Sequence, residues 1–266
     1  MPARWILPKG EPWMRVLRSS LQERDAMIHH LVAGVLAALS FNTVAHDLVT
    51  AESVQAYLSR VAELQGALAA GGDGEIRAKA SLRLGQTLDE IRELFNGDIE
   101  AHGKVQGLAS SVLMSELTAN GAPLAYSVRA NRFTANLTYY RNSLLWDPSG
   151  PAAAEASFCL LRGYFYDSIG TDPLQPVAQD RSQLAEQIKL GEKLRRDFPR
   201  HMQREEISFI LAIYYMQAAR AAEEEQTRTR FTATARERVR EFVRTYPDSL
   251  RTTTLTALLE SASGPK

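Results

Sequence analysis

A chain of 266 residues, 45% hydrophobic and 23% charged, has apolar material for one large domain or an elongated array, which excludes a disordered polymer. Its 31 Lys+Arg balance 31 Asp+Glu, so charge gives no reason to expect a nucleic acid as partner. Cys159 stands alone and excludes an internal disulfide.

Residues 1–45 read as an upstream segment and export signal. Arg15, Arg18 and Arg24 precede an 11-residue apolar run, Leu31 to Phe41, and small residues Thr43 and Ala45 follow. That is the order of charge, apolar stretch and small residues cut by secretory peptidases, with cleavage expected after Ala45. The run falls well short of the roughly 20 residues that span a bilayer; a buried first helix is its other reading. No cysteine follows it, so the acyl-anchoring pattern of bacterial lipoproteins is missing, and the expected location is the periplasm. Without these residues the chain holds 26 basic and 28 acidic groups.

Residues 46–266 show almost no strand signal and a succession of stripes at helical spacing. Val54, Tyr57, Val61, Leu64 and Leu68 form the first, closed by Gly71-Gly-Asp-Gly74. Ala80, Leu84, Leu88, Ile91 and Phe95 form the second, and Val105, Leu108, Val112 and Leu117 the third. Phe133, Leu137, Tyr140 and Leu144 follow, then Ala154, Phe158, Leu161 and Phe165. The later stripes are Leu184, Ile188 and Leu194; Ile207, Leu211, Tyr214 and Ala218; Phe231, Ala235, Val239, Phe242 and Tyr246; and Leu255, Leu258 and Leu259. Short connections rich in Gly, Pro and Asp make consecutive helices antiparallel. The expected fold is all-α.

An aromatic residue is expected to close a helix at Phe95, Trp146, Phe198 and Tyr246, at separations of 51, 52 and 48 residues. A turn follows each, and Pro199 and Pro247 lack the amide hydrogen that another helical turn would need. Asp248 or Ser249 can cap the next helix. Such a period is the mark of stacked helix pairs. Within it, Leu211-Ala212-x-x-Tyr215-x-x-x-Ala219 and Gly163-x-x-Tyr166-x-x-x-Gly170 resemble the first helix of a tetratricopeptide repeat, and Ala235, Val239, Phe242 and Pro247 the second. The style is similar to the longer-helix repeats of bacterial envelope proteins, such as outer-membrane assembly lipoproteins. The likeness is strongest over 151–261 and thin over 48–150. Arg162 departs from it, standing where a large apolar residue belongs, and insertions at 171–180 and 223–230 lengthen the period.

The resemblance implies antiparallel helix pairs stacked as a superhelix, with a groove lined by the first helix of each pair. Carried over by position, that lining is Glu206, Phe209, Ile213, Met216 and Gln217 on one helix, and Leu160, Tyr164 and Asp167 on the one before. Phe209, Ile213 and Met216 would offer an apolar strip to a bound peptide or helix, or else pack within the chain. No metal, phosphate-loop or nucleophile motif occurs, so no cofactor is expected. His201 reads as a turn or capping residue, and Cys159 as a small buried apolar group. Arg236, Arg240 and Arg244 form a basic stripe, an exposed ion-pairing face or a contact for anionic head groups. The function expected is a non-enzymatic periplasmic scaffold for a protein or peptide in envelope assembly or secretion, with peripheral contact to membrane or cell-wall machinery left open. The alternatives are an envelope enzyme using Glu116 with Glu155 or Asp167 as paired acids on cell-wall or polysaccharide material, and a small-ligand carrier lined by Tyr164, Tyr166, Tyr214 and Tyr215.

Overall fold

A computed structural model of the chain describes residues 50–263 apart from 106, 129–130, 169–172 and 175–180. The expected export signal and the cut after Ala45 lie outside the described residues, as does most of the 171–180 insertion. Nine helices and one small hairpin make up the described chain, which is all-α in class.

Helix α1 (Ala51–Ala69) begins in a reciprocal cap, in which Thr50 and Ser53 each satisfy the other's backbone amide. Helix α2 (Gly74–His102) is capped by Asp73, whose carboxylate accepts from Ile76 N, and ends at Gly103 with φ 73. Helix α3 (Leu108–Ala119) leads into strands β1 (Ala125–Ser127) and β2 (Arg132–Thr134), antiparallel with Tyr126 opposite Phe133. Then come α4 (Leu137–Trp146), α5 (Ala153–Ser168), α6 (Arg181–Asp197), α7 (Arg204–Ala221), α8 (Glu225–Thr245) and α9 (Leu250–Ser263).

The packing alternates. Helices α2, α5, α7 and α9 touch in sequence as one row; α4 packs against α2 and α5, α6 against α5 and α7, and α8 against α7 and α9. Helix α1 covers α2 and α3 at the N-terminal end. This is the arrangement of stacked helical pairs. Apolar side chains gather into three clusters along it. One joins α1 to α3 and the hairpin around Leu84, Leu88, Phe95 and Leu113; a second joins α2, α4 and α5 around Tyr140, Ala156 and Leu160. The third and largest joins α5 to α9 around Phe165, Phe209, Leu211, Tyr214 and Phe242.

Small residues set the close approaches. A Cβ on Gly85 would lie 2.7 Å from the Tyr140 ring, and one on Gly191 2.7 Å from Leu211. At Gly163, the small residue of the repeat-like motif, it would lie 2.4 Å from Leu137.

Several expectations are corrected. Phe95 does not close a helix: it is buried within α2, which runs on to His102. Phe133 sits in β2 rather than on a helix, because Asn96 on α2 grips its backbone from both sides, accepting from its amide at 2.7 Å and donating to its carbonyl at 3.0 Å. On α3 the buried face is Leu113 and Leu117, while Val112 is exposed. Residues 225–230 of the expected 223–230 insertion form the first turns of α8. The other three aromatics do end helices; Trp146, Phe198 and Tyr246 are half-buried and pack on the cores. Ser249 accepts from Arg251 N at 3.1 Å, as a capping residue should.

Candidate functional site

The expected groove along α7 is filled from within. Phe209, Ile213, Met216 and Gln217 are buried almost completely, and Glu206 nearly so. Helix α7 is enclosed by α5, α6, α8 and α9, and Phe209 packs between Phe165 and Phe242. Pro173 and Leu174 close one end: Leu174 belongs to the same core, and Gln217 Nε2 donates to the Pro173 carbonyl at 2.8 Å. The strip therefore holds the molecule together and is no open surface. Internal packing, the second reading of that strip, is what the chain adopts.

Glu206 instead joins an ion-pair seam along the α2–α5–α7–α9 row. Arg92 pairs with Asp89 at 3.1 Å and Glu93 at 2.9 Å; Arg162 reaches Glu93 at 3.7 Å and Glu206 at 3.4 Å; Arg251 reaches Glu206 at 3.4 Å and Glu205 at 3.6 Å. Tyr140 donates to Asp89 at 2.6 Å and Tyr166 to Glu206 at 3.2 Å. Burial works against the charge on Arg162, but Glu206 and Glu93 outweigh it and raise its pKa. The departure of Arg162 from the repeat-like motif thus has a structural reason: it is the cation that bridges two neighbouring pairs. Asp167, at the end of α5, is half-buried, accepts from Ala135 N at 3.3 Å, and has its pKa raised by burial.

Leu160 and Tyr164 have a different surrounding. Helices α4 and α6 flank α5 and leave between them an open pocket of about 480 Å3, lined by Arg141, Leu160, Tyr164, Gln183, Gln187 and Leu190 among others. Arg141 donates to the Tyr164 hydroxyl from Nη2 at 2.7 Å and from Nε at 3.2 Å. That holds the phenol at the pocket and leaves its proton free to donate. Leu160 and Leu190 supply apolar surface beside these polar groups. Gln187 is buried in the wall, and its amide oxygen has no hydrogen-bond partner among the described residues. Leaving such an atom unpaired costs about 1–3 kcal/mol, which a donor from a bound chain would offset once the amide turns outward. Arg141 and Gln187 were not expected at a site; they come from helices whose stripes announce only their packing faces.

Glu155 and Asp167, the alternative partners of Glu116, stand apart on α5. They lie near opposite ends of α5, twelve residues apart, so their backbones are separated by about 18 Å of helix axis. Glycosidase pairs stand roughly 5–9.5 Å apart. Glu155 is engaged with His201 Nε2 at 3.4 Å and accepts from Cys159 Sγ at 3.7 Å, while Glu116 is exposed on α3. His201 Nδ1 accepts from Gln203 N at 3.1 Å, which makes it a turn residue. Burial, with Glu155 and Asp89 nearby, pushes the Cys159 thiol up to about 12. Tyr214 is wholly buried, so the four tyrosines of the carrier reading do not share a lining.

Among the described residues, no group of three or more His, Cys, Asp or Glu is placed to hold a metal ion, and no helix is long and apolar enough to cross a membrane. No protein-family description, curated protein or solved structure matches the chain.

Proposed function

We propose that this chain is a non-enzymatic scaffold of the bacterial periplasm, a tetratricopeptide-like array that holds a segment of another protein during envelope assembly or secretion. The observation that carries this reading is the pocket between α4 and α6. Two residues expected to bind, Leu160 and Tyr164, meet Arg141, Gln187 and Leu190 there, so hydrogen-bonding and apolar groups alternate over a surface large enough for a few residues of peptide. The stacked helix pairs support it, since such arrays keep their surfaces rigid and lower the ordering cost of binding.

The test is a photo-crosslinking amino acid at Gln183, on the pocket rim, with a second at Arg83 on α2 as control. In envelope extract, the rim position should give one dominant protein adduct that Arg141→Ala and Tyr164→Ala together suppress, while the control gives none. Equal labelling from both positions, or no adduct together with turnover of murein fragments, would overturn the reading in favour of an enzyme.

A further inference from the structure

The alternating packing places one set of turns on a single edge of the stack. The N-termini of α2, α5, α7 and α9 meet the C-termini of α4, α6 and α8 there. Neighbouring contacts lock that edge: Gly74 lies so close to the Trp146 carbonyl that an added Cβ would come within 2.5 Å of it, Arg77 stacks on the Trp146 ring at 4.4 Å, Glu155 meets His201 at 3.4 Å, and Ser249 donates to Glu205 at 2.7 Å.

Large apolar side chains stand out from this edge. Met202, in the turn before α7, is 93% exposed; Leu250, at the start of α9, is 69% exposed; Leu145, at the end of α4, is 75% exposed. Around Met202 and Leu250 the cations are in excess. Asp197 pairs with Lys193 and Arg196, and Glu205 with Arg251, while Arg200, Arg204 and Arg244 are exposed and form no ion pair among the described residues. The opposite edge, where α7 ends, carries the acidic run Glu223 to Glu225.

We propose that this edge docks on an anionic lipid surface, with Met202 and Leu250 entering the head-group boundary and Arg200, Arg204 and Arg244 facing the lipid phosphates. The pairing of protruding apolar groups with unneutralised cations on a locked surface is what a peripheral membrane contact needs, because insertion and electrostatic attraction add.

Co-sedimentation of the full chain with vesicles tests this. Vesicles containing phosphatidylglycerol should bind it, pure phosphatidylcholine far less, and high salt should release it. Replacing Arg200, Arg204 and Arg244 by Ser should weaken binding about fivefold for each charge removed. Met202→Asp with Leu250→Asp should abolish it with an unchanged circular dichroism spectrum, since both side chains are already in solvent. A fluorophore on Met202→Cys should shift to the blue on binding, and one on Gln183→Cys should not. Equal binding to neutral vesicles that ignores these substitutions would mean that the apolar run at 31–41 does the binding, and overturns the proposal. So does self-association that Met202→Asp abolishes without vesicle binding, because the edge would then join copies of this chain. Vesicle binding is read independently of the crosslink at Gln183, so either reading can fail alone.

Discussion

Tyr214 contributes a ring to the largest core, edge-on to Phe165 at 5.6 Å, and a hydroxyl that has no partner among the described residues. The ring gains from burial while the hydroxyl loses its water, so the two ends of one side chain act in opposite directions. Tyr214→Phe should therefore stabilise the protein by about 1–2 kcal/mol, read as a higher urea midpoint at unchanged slope. The same substitution should blunt the loss of stability in alkali. Burial, then the nearby Tyr164 and Asp167, raise the Tyr214 pKa well above 10.0, so the folded chain keeps a proton that the unfolded chain releases near that value. Stability from this group is complete below about pH 10 and falls as pH rises beyond it. The variant should lose less than the parent over that range. The stripe at Tyr214 declared burial from sequence alone, because helical spacing is a local property. The orphan hydroxyl was not legible, because a missing partner is a fact about every neighbouring helix at once.

At the scale of elements, what could be read depended on how far each determinant reaches. The stripes of α1, α5, α7 and α8 fall where expected, since residues three and four apart define them. The end of α2 was misplaced because Phe95 and the following Asn-Gly-Asp look like a stop, and only the hairpin shows what Asn96 is for. Two strands of three residues have no pattern long enough to announce themselves. The groove failed for a related reason. Position on α7 follows from the motif, but whether a face is open depends on α9, Pro173 and Leu174. Arg162 shows the same logic in reverse, an exception to a local pattern explained by partners on α2 and α7. Restoring the apolar residue by Arg162→Met should cost about 1–2 kcal/mol, between the values of exposed and buried pairs, because Glu206 keeps Arg251 and Tyr166 as partners. In a double-mutant cycle with Glu206→Gln the two losses should not add, and full additivity in denaturant titrations would show that the seam carries no coupling.

For the whole molecule, the question is whether the nine described helices unfold as one unit. The main contacts of each helix pair are with its neighbours, and the first and third clusters share no buried residue. What joins them is the middle cluster around Tyr140, Ala156 and Leu160, the bridge from Glu93 through Arg162 to Glu206, and the hydrogen bonds of Arg132 and Ala135 to the Tyr166 carbonyl and the Asp167 carboxylate. The middle cluster is small, while the C-terminal one holds most of the large aromatic side chains. In an array with nearest-neighbour interfaces, a weak junction lets one end open while the other stays closed. Leu88→Ala removes a fully buried side chain from the first cluster and should cost about 2–5 kcal/mol locally. Hydrogen exchange read by mass spectrometry should then rise sharply in α1 to α4 and stay near its parent level in α7 and α8. Adding Arg162→Met should leave α7 and α8 protected but speed exchange in α5, because that helix loses its tie to α2. A uniform rise through α9 would mean that the middle cluster transmits the damage, and that the stack behaves as a single cooperative domain.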